Sequence, residues 1–312
     1  MAVYINSIGQ IAPNSLANEE QIIAGKLTCI EPDYSAFFDS RTLRRISRII
    51  KIGTTSAMMA LKNATVEMPD AIIVGTGFGC QEDTSLFLRK LITNKEETLN
   101  PTPFIFSTHN SIASQIALQL KCHAYNSTYS HRNFSFESAL LDAYLLIKDD
   151  DAQHVLVGGV DEIIDDSFDL FTRIGYLKPT DIAGEGASFF VLSDVKSKDC
   201  VAELKSIEFV ANTEIATIID KAKTLYHEYS IDAIIVGSHP DHVHQNDQDL
   251  IAALKIENTI FYKQLCGEYA TSSAYAFATA NTLLKENKAV KNVLIYNQYA
   301  NSNHSLILLS AC

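Results

Sequence analysis

The sequence lacks three patterns that would place the protein in a membrane, among disulfide-rich secreted proteins, or on nucleic acid. Its 312 residues contain no apolar run approaching the ~18 residues that span a bilayer. The six cysteines are scattered without a C-x-x-C pair, which favours reduced thiols in a cytoplasmic protein over a disulfide framework. The net charge of −12 argues against non-specific binding of nucleic acid, which requires a basic surface.

The composition is that of a globular protein with a substantial core, since 47% of residues are hydrophobic and 20% are charged. The length suffices for two ordinary domains or one large fused unit. The densest basic stretch comprises Arg41, Arg44, Arg45, Arg48 and Lys51. Such a stretch is typical of the solvated face of a helix, and the alternative is a docking patch for an acidic partner.

Alternating strand and helix signals predict an α/β layered architecture. Short β-branched runs that are apolar on both faces indicate buried strands, and they lie within Ala71–Gly79, His154–Glu162, Asp232–Pro240 and Asn292–Ala300. Apolar residues recur with a period of about 3.6 in three segments, which predicts helices over Arg41–Lys62, Phe136–Lys148 and Ala270–Lys288. Polar residues and prolines predict loops over Glu31–Phe38 and Asn94–Pro103.

A weak internal repeat divides the chain into two similar halves. VLVGGVDE (155–162) is followed by the strand-like SFFVLSD (188–194), and VLIYNQYA (293–300) is followed by SLILLSA (305–311). Each half therefore ends in a buried strand, a loop and a second strand that pairs with the first. We expect residues 1–195 and 196–312 to be these halves and to share one core, because the linker-like segment KSKD (196–199) is short.

Two further patterns suggest other chemistry, and both are weak. The first is a cluster of potential zinc ligands, His239, His242 and His244, with Asp241 and Asp247 nearby. Its spacing does not match the H-x-H-x-D-H order of metallo-β-lactamase-like enzymes, so solvated loop histidines are the simpler interpretation. The second, GTGFG (75–79), lacks the third glycine of a dinucleotide-binding loop, which favours tight packing at a strand end. We therefore expect neither a metal nor a cofactor.

Six segments occur in the order found in β-ketoacyl synthases, and together they resemble that family over nearly the whole chain. They are GTGFG (75–79), THNSIASQIALQL (108–120), SFESALLDAYLLIKDDDAQHVLVGG (135–159), GEGASFFVLSD (184–194), SHPDHVHQND (238–247) and KQLCGEYATSSA (263–274). The signal lies in their order and spacing, because no single motif is specific. The resemblance implies a thiolase-like five-layer αβαβα fold built from two similar halves and generally dimeric, although this chain is shorter than a usual ketosynthase.

The resemblance also implies where a condensing site would lie. In the family, a cysteine at a tight turn before a buried helix forms an acyl thioester, and two histidines and a lysine assist decarboxylation and stabilise the enolate. The cysteine position falls on Asn133, the first histidine on His239, the second on Glu268 and the lysine on Lys263. The G-T-x-T part of the family's H-G-T-x-T loop is absent after His239. An amide forms no thioester and a carboxylate repels an enolate, so we expect a vestigial site in which Lys263 can pair with Glu268.

This pattern resembles the chain-length factors of type II ketosynthases, which lack the cysteine and complete the acyl tunnel of a competent ketosynthase. The segments HRNFSFE (131–137) and STHNSIASQ (107–115) are also similar to ketosynthase-like proteins of aryl polyene and flexirubin biosynthesis. The resemblance implies a heterodimer with an active ketosynthase, or a homodimer, acting on chains borne by an acyl carrier protein. Residues expected to bound the acyl tunnel or interface are Phe104, Phe106, Ile112 and Ile116, for which the alternative is a place in the core.

A shifted nucleophile would instead make the protein a stand-alone acyltransferase. Ser135 and Ser138 lie at the start of the same helix, with His131 and Glu137 within reach in sequence. A serine there could form an acyl-ester if a histidine base lay within hydrogen-bond distance, whereas serines at this place more often cap the helix. The thiols of Cys122 and Cys266 are also nucleophiles by chemistry, and their simpler interpretation is as buried apolar groups.

Overall fold

The chain folds as two successive α/β halves in a computed structural model that describes residues 1–13, 22–23, 25–300 and 302–312. The first half contains β1 (Tyr4–Ile11), β2 (Ile22–Ile23), β3 (Lys26–Leu27), α1 (Ser40–Leu43), α2 (Arg48–Ala64), β4 (Ala71–Gly75), α3 (Gln81–Thr93), α4 (Pro101–Phe106), α5 (Ser111–Leu120), β5 (Tyr125–Tyr129), α6 (Ser135–Lys148), β6 (His154–Asp161), α7 (Asp165–Arg173) and β7 (Gly186–Ser193). The second half contains β8 (Ala202–Val210), α8 (Ile215–Tyr229), β9 (Ala233–Val236), α9 (Gln245–Leu254), β10 (Thr259–Phe261), α10 (Lys263–Cys266), α11 (Ser272–Glu286), β11 (Asn292–Tyr299) and β12 (Asn303–Ala311). Short 3₁₀ helices cover Tyr34–Ala36 and Arg132–Phe134. Among these described helices, none combines the length and apolar character needed to cross a bilayer.

The two halves repeat the same strand order within one ten-stranded sheet, β10-β9-β11-β12-β8-β1-β7-β6-β4-β5. Strand β6 runs parallel to β4 and antiparallel to β7, just as β11 runs parallel to β9 and antiparallel to β12. The pairs β6–β7 and β11–β12 are the repeat seen in the sequence, so the prediction of two similar halves is confirmed. The halves meet where β1 pairs with β8, with Ile5 opposite Ala202. The boundary expected between residues 195 and 196 falls in the β7–β8 connection and stays a prediction.

Alternate residues of the strands face different helical layers, which produces a five-layered αβαβα arrangement. In β4, Ile73 packs into the central core, while Ile72 and Val74 pack into an outer one. The central layer consists of α6 and α11, which meet through Phe136 and Phe277 at a ring-centroid distance of 5.7 Å. Helices α2 and α5 cover the first half, and α8 and α9 cover the second. The predicted thiolase-like fold class is confirmed.

Two predicted segments differ from the structure. The single helix expected over Arg41–Lys62 is divided into α1 and α2, because Ser47 takes an extended conformation as the N-cap of α2. The loop expected over Asn94–Pro103 ends early, because α4 begins at Pro101. Proline suits this position since its missing N–H would be unpaired there in any case, and the Asn100 side chain caps the helix.

The expectation of reduced thiols is wrong for one pair of cysteines. Cys200, just before β8, forms a disulfide with Cys312, just after β12, and their Cα atoms lie 6.2 Å apart. The two residues are distant in sequence and become neighbours because β8 pairs with β12. The remaining cysteines are free and buried: Cys29, Cys80, Cys122 and Cys266.

The basic stretch divides between a buried ion pair and an exposed face. Arg48 donates both terminal guanidinium nitrogens to the Glu185 carboxylate, each at 2.6 Å. Glu185 is fully buried and also accepts a hydrogen bond from the Cys29 N–H at 2.9 Å. The exposed members of the stretch are Arg41, Arg44 and Arg45. Arg48 is therefore engaged with a buried carboxylate, and a docking patch would consist of the exposed arginines.

Candidate functional site

Asn133 lies in a tight turn that connects β5 to the buried helix α6. Arg132 in this turn has a φ of 52°, a left-handed conformation that is uncommon for a residue with a side chain. The turn packs against the end of β4 at Gly75, where a Cβ atom would lie 2.5 Å from the carbonyl oxygen of Ser135. The turn holds the Asn133 side chain at the start of α6 with 7% of the residue exposed.

A phenol closes the space in front of Asn133. The Tyr176 hydroxyl donates a hydrogen bond to Asn133 Oδ1 at 2.7 Å. Burial and the nearby Glu268 carboxylate raise the pKa of Tyr176, so the hydroxyl keeps the proton that it donates. The Tyr176 ring contacts Phe78 and Phe171 at centroid distances of 5.4 and 5.0 Å. The cavity among these side chains has a volume of about 10 Å³, close to the minimum for one water molecule, so it holds no acyl chain in this conformation.

We expect Tyr176→Phe to lower the free energy of unfolding by about 1–2 kcal/mol, because the buried side-chain oxygen Oδ1 of Asn133 would lose its donor. Urea denaturation of both proteins measures the difference. Tyr226→Phe, at an exposed position of α8, is the matched control and should change stability by less than about 0.5 kcal/mol. Equal stability of the two variants would mean that the hydrogen bond to Asn133 contributes nothing.

The GTGFG segment binds a carboxylate of the protein itself. Asp161, at the end of β6, accepts hydrogen bonds from the N–H groups of Gly77 and Phe78 at 2.9 and 3.2 Å. Thr271 adds its N–H and its hydroxyl, at 3.0 and 2.8 Å. Burial raises the pKa of Asp161, while these hydrogen bonds act in the opposite direction. Because these donors serve an internal carboxylate, the structure supports the packing interpretation of the segment over nucleotide binding.

The other predicted site residues meet in an open cleft of about 310 Å³, which His239, Lys263 and Glu268 line together. Lys263 Nζ lies 2.5 Å from Glu268 Oε2, and the two side chains are 11% and 18% exposed. The ion pair expected from the sequence is therefore present. Burial acts to lower the pKa of Lys263, but the adjacent Glu268 carboxylate outweighs it and the pKa is raised. The lysine is therefore charged and paired with Glu268.

The GEGA segment sets the position of Glu268 through its backbone. The Glu268 N–H donates to the Ile182 carbonyl oxygen at 2.7 Å, and the Gly184 N–H donates to the Glu268 carbonyl oxygen at 2.9 Å. The two segments touch so closely that a Cβ atom on Gly184 would lie 2.0 Å from the Cys266 carbonyl oxygen. The fold thus holds the Glu268 backbone against the segment before β7, which directs its side chain towards Lys263.

The histidines of the cleft do not converge on a metal position. The ring centroids of His239 and His242 lie 6.4 Å apart. In the part of the chain that the structure describes, no group of three His, Cys, Asp or Glu side chains is arranged to hold a metal ion. Burial, together with Lys178 and Lys263, lowers the pKa of His244, so its ring is neutral at pH 7. The described residues give no support to the zinc-hydrolase alternative.

The two serines at the start of α6 have different roles. Ser135 is fully buried, and its Oγ accepts a hydrogen bond from the His131 N–H at 2.9 Å and donates to the Arg132 carbonyl oxygen at 2.7 Å. Ser135 therefore holds the turn before α6 through these two bonds and does not cap the helix, whose N-cap is Phe134. Ser138 Oγ lies 2.9 Å from Nδ1 of the exposed His131 ring. This pair has the distance that a general base requires and favours the acyltransferase alternative.

The other groups considered for that alternative are buried. Glu137 Oε1 accepts a hydrogen bond from Asn297 Nδ2 at 2.7 Å, and Asn297 also donates to the Asn133 carbonyl oxygen at 3.2 Å. Burial raises the pKa of Glu137 to about 7. Cys122 and Cys266 are buried, and burial raises the pKa of the Cys266 thiol, which disfavours the thiolate.

The four tunnel candidates occupy different environments. Ile112 and Ile116 are fully buried in α5, within the core that covers the first half. Phe106 is partly buried against the same core. Phe104 is 56% exposed and packs against Phe87 with a ring-centroid distance of 5.2 Å. Their role in an acyl channel stays a prediction.

Three residues of the site escaped the sequence analysis: Asp161, Tyr176 and Asn297. Asp161 and Asn297 each follow the apolar residues of a buried strand, and a polar group at such a strand end is a usable signal. Tyr176 lies in the connection between α7 and β7, where no periodic pattern indicates a contact with the start of α6.

Comparison with known proteins relates part of the chain to a family. Residues 31–185 match the family model for the beta-ketoacyl synthase N-terminal domain. No curated protein matches the sequence. One similar solved structure is AntDE:AntF, a type II PKS acyl-carrier protein in complex with its ketosynthase bound to the hexaketide; identity is 16%, the TM-score is 0.83, and the match covers 100% of this chain and 99% of that chain.

Two further solved structures share the fold. The ishigamide ketosynthase/chain length factor is 15% identical with a TM-score of 0.78, covering 100% of this chain and 99% of that chain. The ketosynthase ApeO in complex with its chain length factor ApeC, from Xenorhabdus doucetiae, is 12% identical with a TM-score of 0.72, covering 100% and 98%. The fold over the whole chain is thus that of the ketosynthases. The chain is therefore similar to β-ketoacyl synthases over residues 31–185 and shares their thiolase-like fold throughout.

Proposed function

We propose that the protein is a non-condensing ketosynthase-like subunit, a chain-length factor, that pairs with an active β-ketoacyl synthase and helps to shape its acyl tunnel. The observation that carries the proposal is Asn133 at the turn before α6, where condensation requires a thiol. Its amide is held by the Tyr176 hydroxyl. Two of the structures with this fold are titled as ketosynthases with chain length factors, which supports the same assignment.

The chemistry of the second cluster supports the loss of condensation independently. An enolate needs a hydrogen-bond donor or a positive charge beside its oxygen. At this place the protein has the Glu268 carboxylate, and the positive charge of Lys263 is already paired with it at 2.5 Å. With about 10 Å³ of space beside Tyr176, the acyl chain would be carried by the cysteine of the partner.

The proposal includes an acyl carrier protein as the source of the growing chain. One of the structures with this fold is titled as an acyl-carrier protein in complex with its ketosynthase. On a chain of net charge −12, the exposed Arg41, Arg44 and Arg45 form the surface suited to an acidic carrier protein. We propose polyene or polyketide synthesis, of the aryl polyene or flexirubin type, as the pathway.

We expect a stable one-to-one complex when the chain is co-expressed with a ketosynthase that has the cysteine and both histidines. After treatment with an acyl thioester or a cerulenin-type electrophile, intact-mass analysis should show an adduct on the partner and none on this chain. The partner with its cysteine replaced by alanine is the control and should carry no adduct. An adduct at the turn before α6 of this chain, or failure to form the complex, would contradict the proposal.

The second candidate function is acyl transfer by Ser138 with His131 as base, which rests on their 2.9 Å separation. It predicts that the isolated chain accepts an acyl group from a thioester and that Ser138→Ala abolishes this reaction. Ser114→Ala, on α5, is the control serine substitution. Acylation that is lost in Ser138→Ala and retained in Ser114→Ala would favour this function over the chain-length factor.

A further inference from the structure

A depression of about 360 Å³ surrounds the Cys200–Cys312 disulfide. It lies at the end of the fold opposite Asn133, because α11 begins beside the Thr271–Asp161 contact and its last turn lines the depression. The helix has 15 residues and is therefore roughly 20 Å long. The disulfide is thus remote from the vestigial site, and nothing in the proposed function uses it.

The depression is strongly cationic on a protein that is acidic overall. Its lining includes four lysines, Lys198, Lys285, Lys288 and Lys291, against one acidic side chain, that of Asp199. The four lysines are exposed, and none has an ion-pair partner in residues 1–13, 22–23, 25–300 and 302–312. A concentration of positive charge on a chain whose overall net charge is −12 attracts anions to this place.

The two cysteines of the disulfide differ from the others in access. Cys200 is partly exposed and Cys312 is exposed, whereas the free cysteines are buried. Neighbouring ammonium groups favour the thiolate, which is the form that attacks a disulfide. Solvent exposure and the neighbouring lysines therefore make Cys200 and Cys312 the cysteines best suited to thiol–disulfide exchange.

We propose that Cys200 and Cys312 form a reversible thiol–disulfide exchange site for anionic low-molecular-weight disulfides and thiols. In the oxidative direction, the Cys312 thiolate attacks one sulfur of the incoming disulfide, whose S–S bond breaks and releases one thiolate. The Cys200 thiolate then attacks the mixed disulfide, forms the Cys200–Cys312 bond and releases the second thiolate. Two electrons pass to the small disulfide, and the released thiolates take up protons from the protein thiols through solvent.

The bond connects places that are far apart in the chain. It closes a loop of 112 residues and ties the end of β12 to the segment that joins the two halves. A crosslink over so long a loop restricts the unfolded chain strongly. The oxidation state of the pair therefore sets the thermal stability of the second half.

The first test compares two small disulfides of opposite charge on the reduced full-length protein. Oxidised glutathione is anionic and cystamine is cationic. The rate at which each disulfide oxidises the protein is divided by the rate at which the same disulfide oxidises a neutral model thiol. We expect the normalised rate to be about fivefold higher for glutathione at low ionic strength and the difference to shrink at about 0.5 M salt. Peptide mapping should identify Cys200–Cys312 as the product. Equal normalised rates, or a product without this bond, would overturn the proposal.

Charge variants separate the lysines from the cysteines. The double variant Lys285→Gln/Lys288→Gln should reduce the glutathione preference at least about twofold, whereas the charge-matched control Lys90→Gln/Lys223→Gln should leave it unchanged.

The reaction of Cys200→Ser with oxidised glutathione should stop at a mixed disulfide between glutathione and Cys312. Reduction should lower the Tm of the wild-type protein by about 5 °C and leave the Tm of Cys200→Ser unchanged. If both double variants behave alike, the lysines do not select the reagent and the proposal fails. These readouts need no ketosynthase partner, so they are independent of the proposed function.

Discussion

Arg48→Met is expected to lower the free energy of unfolding by about 3 kcal/mol. The Glu185 carboxylate is fully buried and receives two hydrogen bonds of 2.6 Å from Arg48. Without the guanidinium, a buried charge would be left with the N–H groups of Cys29 and Ile163, at 2.9 and 3.3 Å. Loss of one partner of a buried pair costs about 3–5 kcal/mol, and the lower value applies because the Arg48 side chain is 30% exposed.

Urea denaturation followed by circular dichroism measures this change. Arg45→Met, in the same basic stretch but on the exposed surface, is the matched control and should change stability by less than about 0.5 kcal/mol. The double variant Arg48→Met/Glu185→Gln should recover part of the loss, because it removes the unpaired charge. A cost for Arg48→Met no larger than that for Arg45→Met would refute a role of the pair in the core.

Glu137→Gln is expected to raise the free energy of unfolding at pH 8 by about 3 kcal/mol. Burial raises the pKa of Glu137 from 4.5 to about 7 in the folded protein. The folded state therefore holds this proton more tightly than the unfolded state, so the stability of the wild-type protein falls as the pH rises from 4.5 to about 7. Above that range the charged carboxylate costs about 3 kcal/mol, at roughly 1.4 kcal/mol for each unit of pKa. Glutamine stays neutral and avoids this cost.

The measurement is the free energy of unfolding of both proteins across the range from acidic to mildly alkaline pH. The two curves should meet at the acidic end and separate as the pH rises. Glu286→Gln, at an exposed position of the central helix α11, is the control and should follow the wild-type curve. Some pH dependence should persist in Glu137→Gln, because burial also raises the pKa of Glu162 to about 8 and that of Asp247 to about 6. A variant that is less stable than the wild type at pH 8 would show that the carboxylate is well accommodated.

The predicted elements agree with the structure where one periodic pattern covers a whole element. β4, β6, β9 and β11 are rich in apolar residues because both of their faces pack against helices, and this requirement is visible in the residues themselves. The helix expected over Arg41–Lys62 fails at Ser47, where a local N-cap overrides a pattern that continues through it. The repeat at the ends of the two halves was readable because both copies kept a pair of continuous apolar runs.

The sequence predicts those parts of the site that depend on which residue occupies one position of a motif. The pairing of Lys263 with Glu268 joins residues five positions apart and is observed. The replacement of a thiol by the Asn133 amide concerns one residue and stays a prediction. The contact between Asn133 and Tyr176 spans 43 residues and depends on the path of an irregular connection. The same holds for Arg48 and Glu185, which are 137 residues apart and meet only through the packing of α2 against the segment before β7.

The sequence by itself determined the α/β class and the duplicated halves, because these follow from local periodicity. It also predicts the loss of a thiol at Asn133, and this remains a prediction. Tertiary structure decided what fills the space that the thiol would use and which charges are buried. It also decided that Cys200 and Cys312 become neighbours, through the register of β8 with β12. Register and the rotation of one element against another are properties of the whole packed core, and no short stretch of the chain encodes them.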